Sequence, residues 1–126
     1  MPEQNKIPEN YQDVMPYLIV KGASAFAAFT ATVFNAKQTY CVMRDENLVM
    51  HSEIMIGAST IMFADATETY PPRPAGMFVY VNNSDITYQK ALDTGATAVS
   101  PLSDQPYGRS GGVIDPFGNT WWITSL

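Results

Sequence analysis

His51 is the only histidine in the chain, and Glu53 lies two positions beyond it. In an extended strand that spacing puts both side chains on one sheet face, about 6.5–7 Å apart. The opposite face is expected to carry Met50, Ile54 and Ile56 beneath a helix. An imidazole beside a carboxylate can bind or deprotonate a ligand, because the carboxylate raises its basicity. The pair can equally be an ordinary hydrogen-bonded group on a partly wet face. A third reading adds Asp65, giving three donors for a divalent metal. The residues leave all three open. Further along, Tyr107-Gly108-Arg109 offers a guanidinium that either clamps a carboxylate or phosphonate or sits on a glycine-rich surface loop. The run from Gly108 to Gly112 lacks the Lys-Ser/Thr ending of a phosphate loop, so that chemistry is excluded. Asp115 is expected to serve a turn, and Cys41 to be inert strand packing.

The balance of charge narrows the partners. Seven basic against twelve acidic residues give a net charge of -5, which argues against nucleic acid, since phosphate binding needs a concentrated positive surface. The longest uncharged stretch, 22–36, is 15 residues and contains Ser, Thr and Asn. It is too short and too polar to cross a bilayer. A single cysteine excludes an internal disulfide or a cysteine-built cluster. With no signal peptide in view, the expected location is the cytoplasm.

The elements that must position these residues follow from periodicity and turn residues. An arm over 1–13 precedes an apolar strand over 15–20. Phe26, Phe29, Val33 and Phe34 then share one helix face, and Asn35-Ala36 ends that helix. Strands are predicted over 37–44, 48–56 and 60–64, followed by a loop broken by Pro71, Pro72 and Pro74. The same order then returns. A strand over 76–81 leads into a helix from Asp85 to about Thr94, with Ser84 as N-cap and Gly95 closing it. Strands over 97–100, 110–114 and 119–126 follow, the last two joined by the turn Asp115-Pro116-Phe117-Gly118. Ala36 and Ala96 are 60 positions apart, and Gly57 and Gly118 are 61 apart. Near-equal spacing at two landmarks marks an internal repeat. The expected fold class is α+β: two tandem βαβββ modules, about 14–66 and 76–126, forming curved mixed sheets with helices on their outer faces. The whole of 1–126 is read as a single domain.

This doubled unit resembles the vicinal oxygen chelate superfamily, which includes glyoxalase I, extradiol dioxygenases and the fosfomycin- and bleomycin-resistance proteins. Met15-Pro16-Tyr17-Leu18, Met50-His51-Ser52-Glu53-Ile54 with Ile61-Met62-Phe63-Ala64-Asp65, and Asp115-Pro116-Phe117-Gly118 with Trp121 are most similar to its PhnB-like branch. The resemblance implies a divalent metal held by the first and last strands of each unit. Here those strands carry Tyr17 and no donor in the first, none in the fifth, and Trp122 where the superfamily usually places Glu. Only Asp65 lies near a ligand position. The expectation is therefore no metal and no cofactor, which removes glyoxalase and dioxygenase activity.

Aromatic groups in place of donors suit a small organic ligand, with Tyr17, Asp65, Tyr107, Arg109 and Trp122 as binding residues and His51 and Glu53 as candidate catalytic ones. One of Trp121 and Trp122 must face the helix, because strand neighbours alternate. The outer face of the first helix (Ala25, Ala28, Thr30, Ala31, Thr32) is small and neutral. Together with the resemblance this implies a homodimer with a cavity shared between chains. The expected function is small-molecule binding; the alternative is a metal-dependent or acid–base lyase or isomerase using His51 and Glu53.

Overall fold

The computed structural model describes residues 6–126. Module one consists of β1 (Tyr17–Val20), α1 (Ala23–Phe34), β2 (Lys37–Met43), β3 (Val49–Ile56) and β4 (Ser59–Asp65). Module two repeats the order with β5 (Gly76–Tyr80), α2 (Ser84–Asp93), β6 (Thr97–Gln105), β7 (Gly108–Ile114) and β8 (Thr120–Ser125). Each module builds its own four-stranded mixed sheet, ordered β1-β4-β3-β2 and β5-β8-β7-β6. In both, the first strand runs parallel to the last and the other pairs are antiparallel. This is the expected α+β architecture.

The internal repeat extends to a hydrogen-bonding device. Asp65 and Ser125 end the last strands of their modules, and each accepts from a backbone N–H at the start of its module's helix. The contacts are Ala23 N to Asp65 at 2.8 Å and Ser84 N to the Ser125 hydroxyl at 3.0 Å. Helix N-termini leave orphan donors that a buried acceptor must satisfy. In α1 the N-cap is Gly22, which has no side chain for that purpose, so the strand supplies it.

One apolar core joins the modules. Leu18, Val20, Phe63 and Ile54 of the first sheet, Trp121, Val113 and Ile123 of the second, and the inner faces of both helices belong to it. Phe34 of α1 packs against Trp121 with ring centroids 4.5 Å apart and planes tilted by 37°, and Phe117 of the 115–118 turn lies edge-on to Phe26 at 5.5 Å. The modules therefore meet through their helices, and the sheet faces turned away from the helices stay open, apart from the arm that crosses part of module one.

Five local expectations are corrected. The N-cap of α2 is Asn83, whose side chain accepts from Ile86 N, while the Ser84 hydroxyl is bonded to Ser125. Strand β6 runs to Gln105 instead of stopping near Ser100; Pro101 is tolerated because β6 is an edge strand and its register is broken there. Thr30 is fully buried and donates to the Ala27 carbonyl, leaving Ala25, Ala28, Ala31 and Thr32 as the exposed neutral stripe. Met50 is exposed because the β2–β3 register shifts beside it, and Val49 takes the buried place. Cys41 is exposed on β2 and does not pack in the core.

Candidate functional site

The uncovered face of module one gathers the titratable side chains. On β3, Ser52, Ile54 and Ile56 point to the helix side, so alternation turns His51 and Glu53 to the open side. Glu53 is opposite Met62 of β4 and Tyr40 of β2, and Tyr17 is opposite Met62 from the other side. This register brings Tyr17 and His51 together although they are far apart in sequence. The Tyr17 hydroxyl lies 2.9 Å from His51 Nδ1, and the rings stack at 5.5 Å. His51 Nε2 lies 2.7 Å from Glu53 Oε2. Tyr40 approaches His51 edge-on at 6.0 Å.

Glu53 is only 5% exposed. A buried carboxylate needs partners, or it loses more in solvation than it gains. The second partner comes from the arm: the Tyr11 hydroxyl donates to the Glu53 carboxylate, 2.7 and 2.8 Å from its two oxygens. Gln12 and Asn10 pin the arm to Thr60, with the Gln12 amide donating to the Thr60 carbonyl at 2.8 Å. The Tyr11 phenol is pushed above its usual value, chiefly by its hydrogen bond to Glu53. Tyr17 is raised as well, first by burial and then by the charge of Glu53, with Arg44 opposing. Both phenols therefore hold their protons more firmly than free tyrosine.

Asp65 does not join this group. It lies beneath the start of α1, where one oxygen accepts from Gly22 N and Ala23 N and the other from Val49 N at 2.7 Å. With both oxygens occupied on the helix side of the sheet, it does not come together with His51 and Glu53 as a third donor. Arg109 stands apart from the group as well. It faces α2, where its guanidinium pairs with Asp85 at 3.0 Å and Asp104 at 3.3 Å. A metal needs several converging donors, and His51 and Glu53 already satisfy each other. Among the described residues no three His, Cys, Asp or Glu side chains come together. The donor set does not fit the divalent ion implied by the superfamily.

Module two presents a different open face. Trp121 is 1% exposed and its indole N–H donates to Asp115 at 2.8 Å, whereas Trp122 is 38% exposed on the open side. Asp115 also accepts from the backbone N–H groups of Phe117 and Asn119, as expected for a turn residue. Trp122 packs closely against Gly112: a Cβ there would come to 2.5 Å from the indole. Phe78 is its partner on β5, and Phe78 has Tyr80 at 5.2 Å and Tyr107 at 5.8 Å. Tyr107 and Trp122 thus lie on one aromatic face, while Tyr17 belongs to the other sheet.

Two clefts border these faces. One of about 270 Å³ lies between the arm and module one, lined by Pro8, Tyr11, Thr39, Tyr40 and Glu53. A larger one of about 500 Å³ opens where the modules meet, lined by Pro16, the β3–β4 turn, Phe78 and Tyr80. The larger contains neither His51 nor Glu53, so the convergent polar groups lie outside it. Tyr11 and Tyr40 join the site only in the folded chain. Tyr40 has a signal in the sequence, since it lies on the strand predicted beside β3. Tyr11 has no periodic signal, because an irregular arm brings it there.

The Glyoxalase/Bleomycin resistance protein/Dioxygenase superfamily model matches residues 13–123, and the chain belongs to that family. Among its relatives are uncharacterized proteins of Mycobacterium bovis and Mycobacterium tuberculosis. Each is 30% identical over 118 residues, covering 84% of this chain and 78% and 69% of theirs. The PhnB protein of Bacillus cereus has a similar fold, with a TM-score of 0.73 at 19% identity over 91% of this chain and 100% of its own. The fosfomycin resistance protein FosX of Mesorhizobium loti is similar at a TM-score of 0.67 and 13% identity, over 90% of each chain. No described helix is long and apolar enough to cross a membrane.

Proposed function

We propose that this chain binds a small organic molecule on its open sheet faces, without a metal, and that two copies complete the site. The observation that carries this reading is the pair of uncovered faces. One bears Tyr17, Tyr40, His51 and Glu53, and the other Phe78, Tyr80, Tyr107 and Trp122; Tyr17, Tyr40, Phe78, Tyr80, Tyr107 and Trp122 are all exposed. Contiguous exposed aromatic surface of this kind is uncommon on a monomer and marks a binding surface. The neutral stripe of Ala25, Ala28, Ala31 and Thr32 supports a second copy, since solvated helix faces normally carry charge. A reducing cytoplasm suits the exposed thiol of Cys41.

A second reading, acid–base catalysis of the lyase or isomerase type, draws on the continuous hydroxyl–imidazole–carboxylate chain Tyr17–His51–Glu53. Such a chain can move a proton between a bound molecule and His51.

Gel filtration with calibrated light scattering, followed by thermal shift against aromatic fragments, tests the first reading. A dimer whose melting point rises with planar fragments and not with Zn, Ni, Mn or Mg is expected. A monomer indifferent to every fragment would contradict it. Turnover of a fragment, lost in His51→Ala, would favour the second reading.

A further inference from the structure

We infer that the ligand is a planar aromatic molecule that donates a hydrogen bond, through an N–H or O–H, to the Tyr17 oxygen; this rests on the binding reading above. The argument is one of hydrogen-bond direction. An ionised carboxylate only accepts, so at Glu53 both neighbours must donate. Tyr11 gives its single hydroxyl proton, and His51 Nε2 must carry a proton. An imidazole protonated only at Nε2 presents a lone pair at Nδ1, whereas an imidazolium donates from both nitrogens. In the neutral ring the Tyr17 hydroxyl, 2.9 Å away, therefore points its only proton inward at Nδ1.

With the ring neutral, every proton in the chain is committed toward Glu53. What Tyr17 presents to the open face is lone-pair density on its oxygen. The raised pKa of Tyr17 keeps that oxygen a neutral phenol and not a phenolate. Around it are ring surfaces, those of Tyr17, His51 and Tyr40, which favour a flat partner. The arm withholds the other acceptor, because Tyr11 occupies the Glu53 oxygens. A ligand whose polar atom is only an acceptor would set lone pair against lone pair at Tyr17 and gain nothing. Arg44 is the cation whose field reaches Tyr17, so the ligands compared should not differ in charge.

The test uses two neutral pairs that differ by one methyl: 2-naphthol against 2-methoxynaphthalene, and indole against 1-methylindole. Affinities are measured by calorimetry at about pH 8.5, above the ordinary imidazole range, for the intact chain, Tyr17→Phe and Tyr70→Phe. The donors should bind about 5–10-fold tighter than their methylated partners, in line with one net hydrogen bond. The preference should vanish in Tyr17→Phe and persist in Tyr70→Phe, which removes an exposed hydroxyl away from both open faces. Equal affinities within each pair for the intact protein would overturn the inference and leave small-molecule binding standing. Failure of all four compounds to bind folded protein would overturn the binding reading and this inference with it.

Discussion

His51 Nε2 and Glu53 Oε2 lie 2.7 Å apart, and the same carboxylate holds the hydroxyl of Tyr11. The pair fixes which imidazole nitrogen bears the proton, and His51 is the only histidine to report it. Nitrogen-15 NMR of the neutral ring should show the proton on Nε2 and a bare Nδ1. In Glu53→Gln the amide can turn either its oxygen or its NH₂ to the ring, so a mixture of tautomers is expected. A ring protonated at Nδ1 in the intact protein would break the proposed direction of the chain.

Tyr11 should titrate late. Ionising it beside Glu53 would destroy their hydrogen bond and set two negative charges together, so its folded pKa is raised above 10.0. A raised pKa means that the protonated form is favoured by folding. That contribution to stability is complete below pH 10.0 and is lost as pH rises through the folded value. Ultraviolet difference titration of the intact chain against Tyr11→Phe isolates this residue, and Glu53→Gln should bring its midpoint down.

Asp65 is expected to matter for stability and not for binding. Asp65→Ala removes the acceptor for Gly22 N, Ala23 N and Val49 N, leaving donors stranded at the start of α1. The loss should be about 2–4 kcal/mol by denaturant unfolding, in the range for buried charge-assisted hydrogen bonds. Ligand affinity per folded molecule should not change. A large affinity loss with unchanged stability would return Asp65 to the site.

Gly112 sets the position of Trp122. A Cβ there would fall within 2.5 Å of the indole, far inside contact distance. Gly112→Ala should push the ring off the sheet, at about 1–3 kcal/mol of overpacking cost, with a changed Trp122 fluorescence. Aromatic fragments should then bind more weakly, since the module-two face has lost its flat centre.

Much of this arrangement could be read from the residues before any coordinates. The repeat, the helix faces and the alternation that turns His51 and Glu53 to one side are all local periodicities. The choice between Trp121 and Trp122 was not, because alternation says only that they differ; Asp115, capturing the Trp121 indole, decides it. The partners of Asp65 and Arg109 are hidden from the sequence for the same reason. A charged side chain at a strand end or in a glycine-rich run looks available until the chain folds backbone donors or acidic partners against it. Tyr11 could not be found by pattern, since its contact with Glu53 spans 42 residues through an irregular arm.

The most direct test is a titration followed through the ring signals of His51 and the thermal midpoint together, first with planar aromatic fragments and then with Zn, Ni, Mn and Mg. The account predicts saturable shifts and a higher midpoint with fragments carrying an N–H or O–H, and no response to metal. Stoichiometric metal binding that moves the His51 signals, raises the midpoint and disappears in His51→Ala would contradict it.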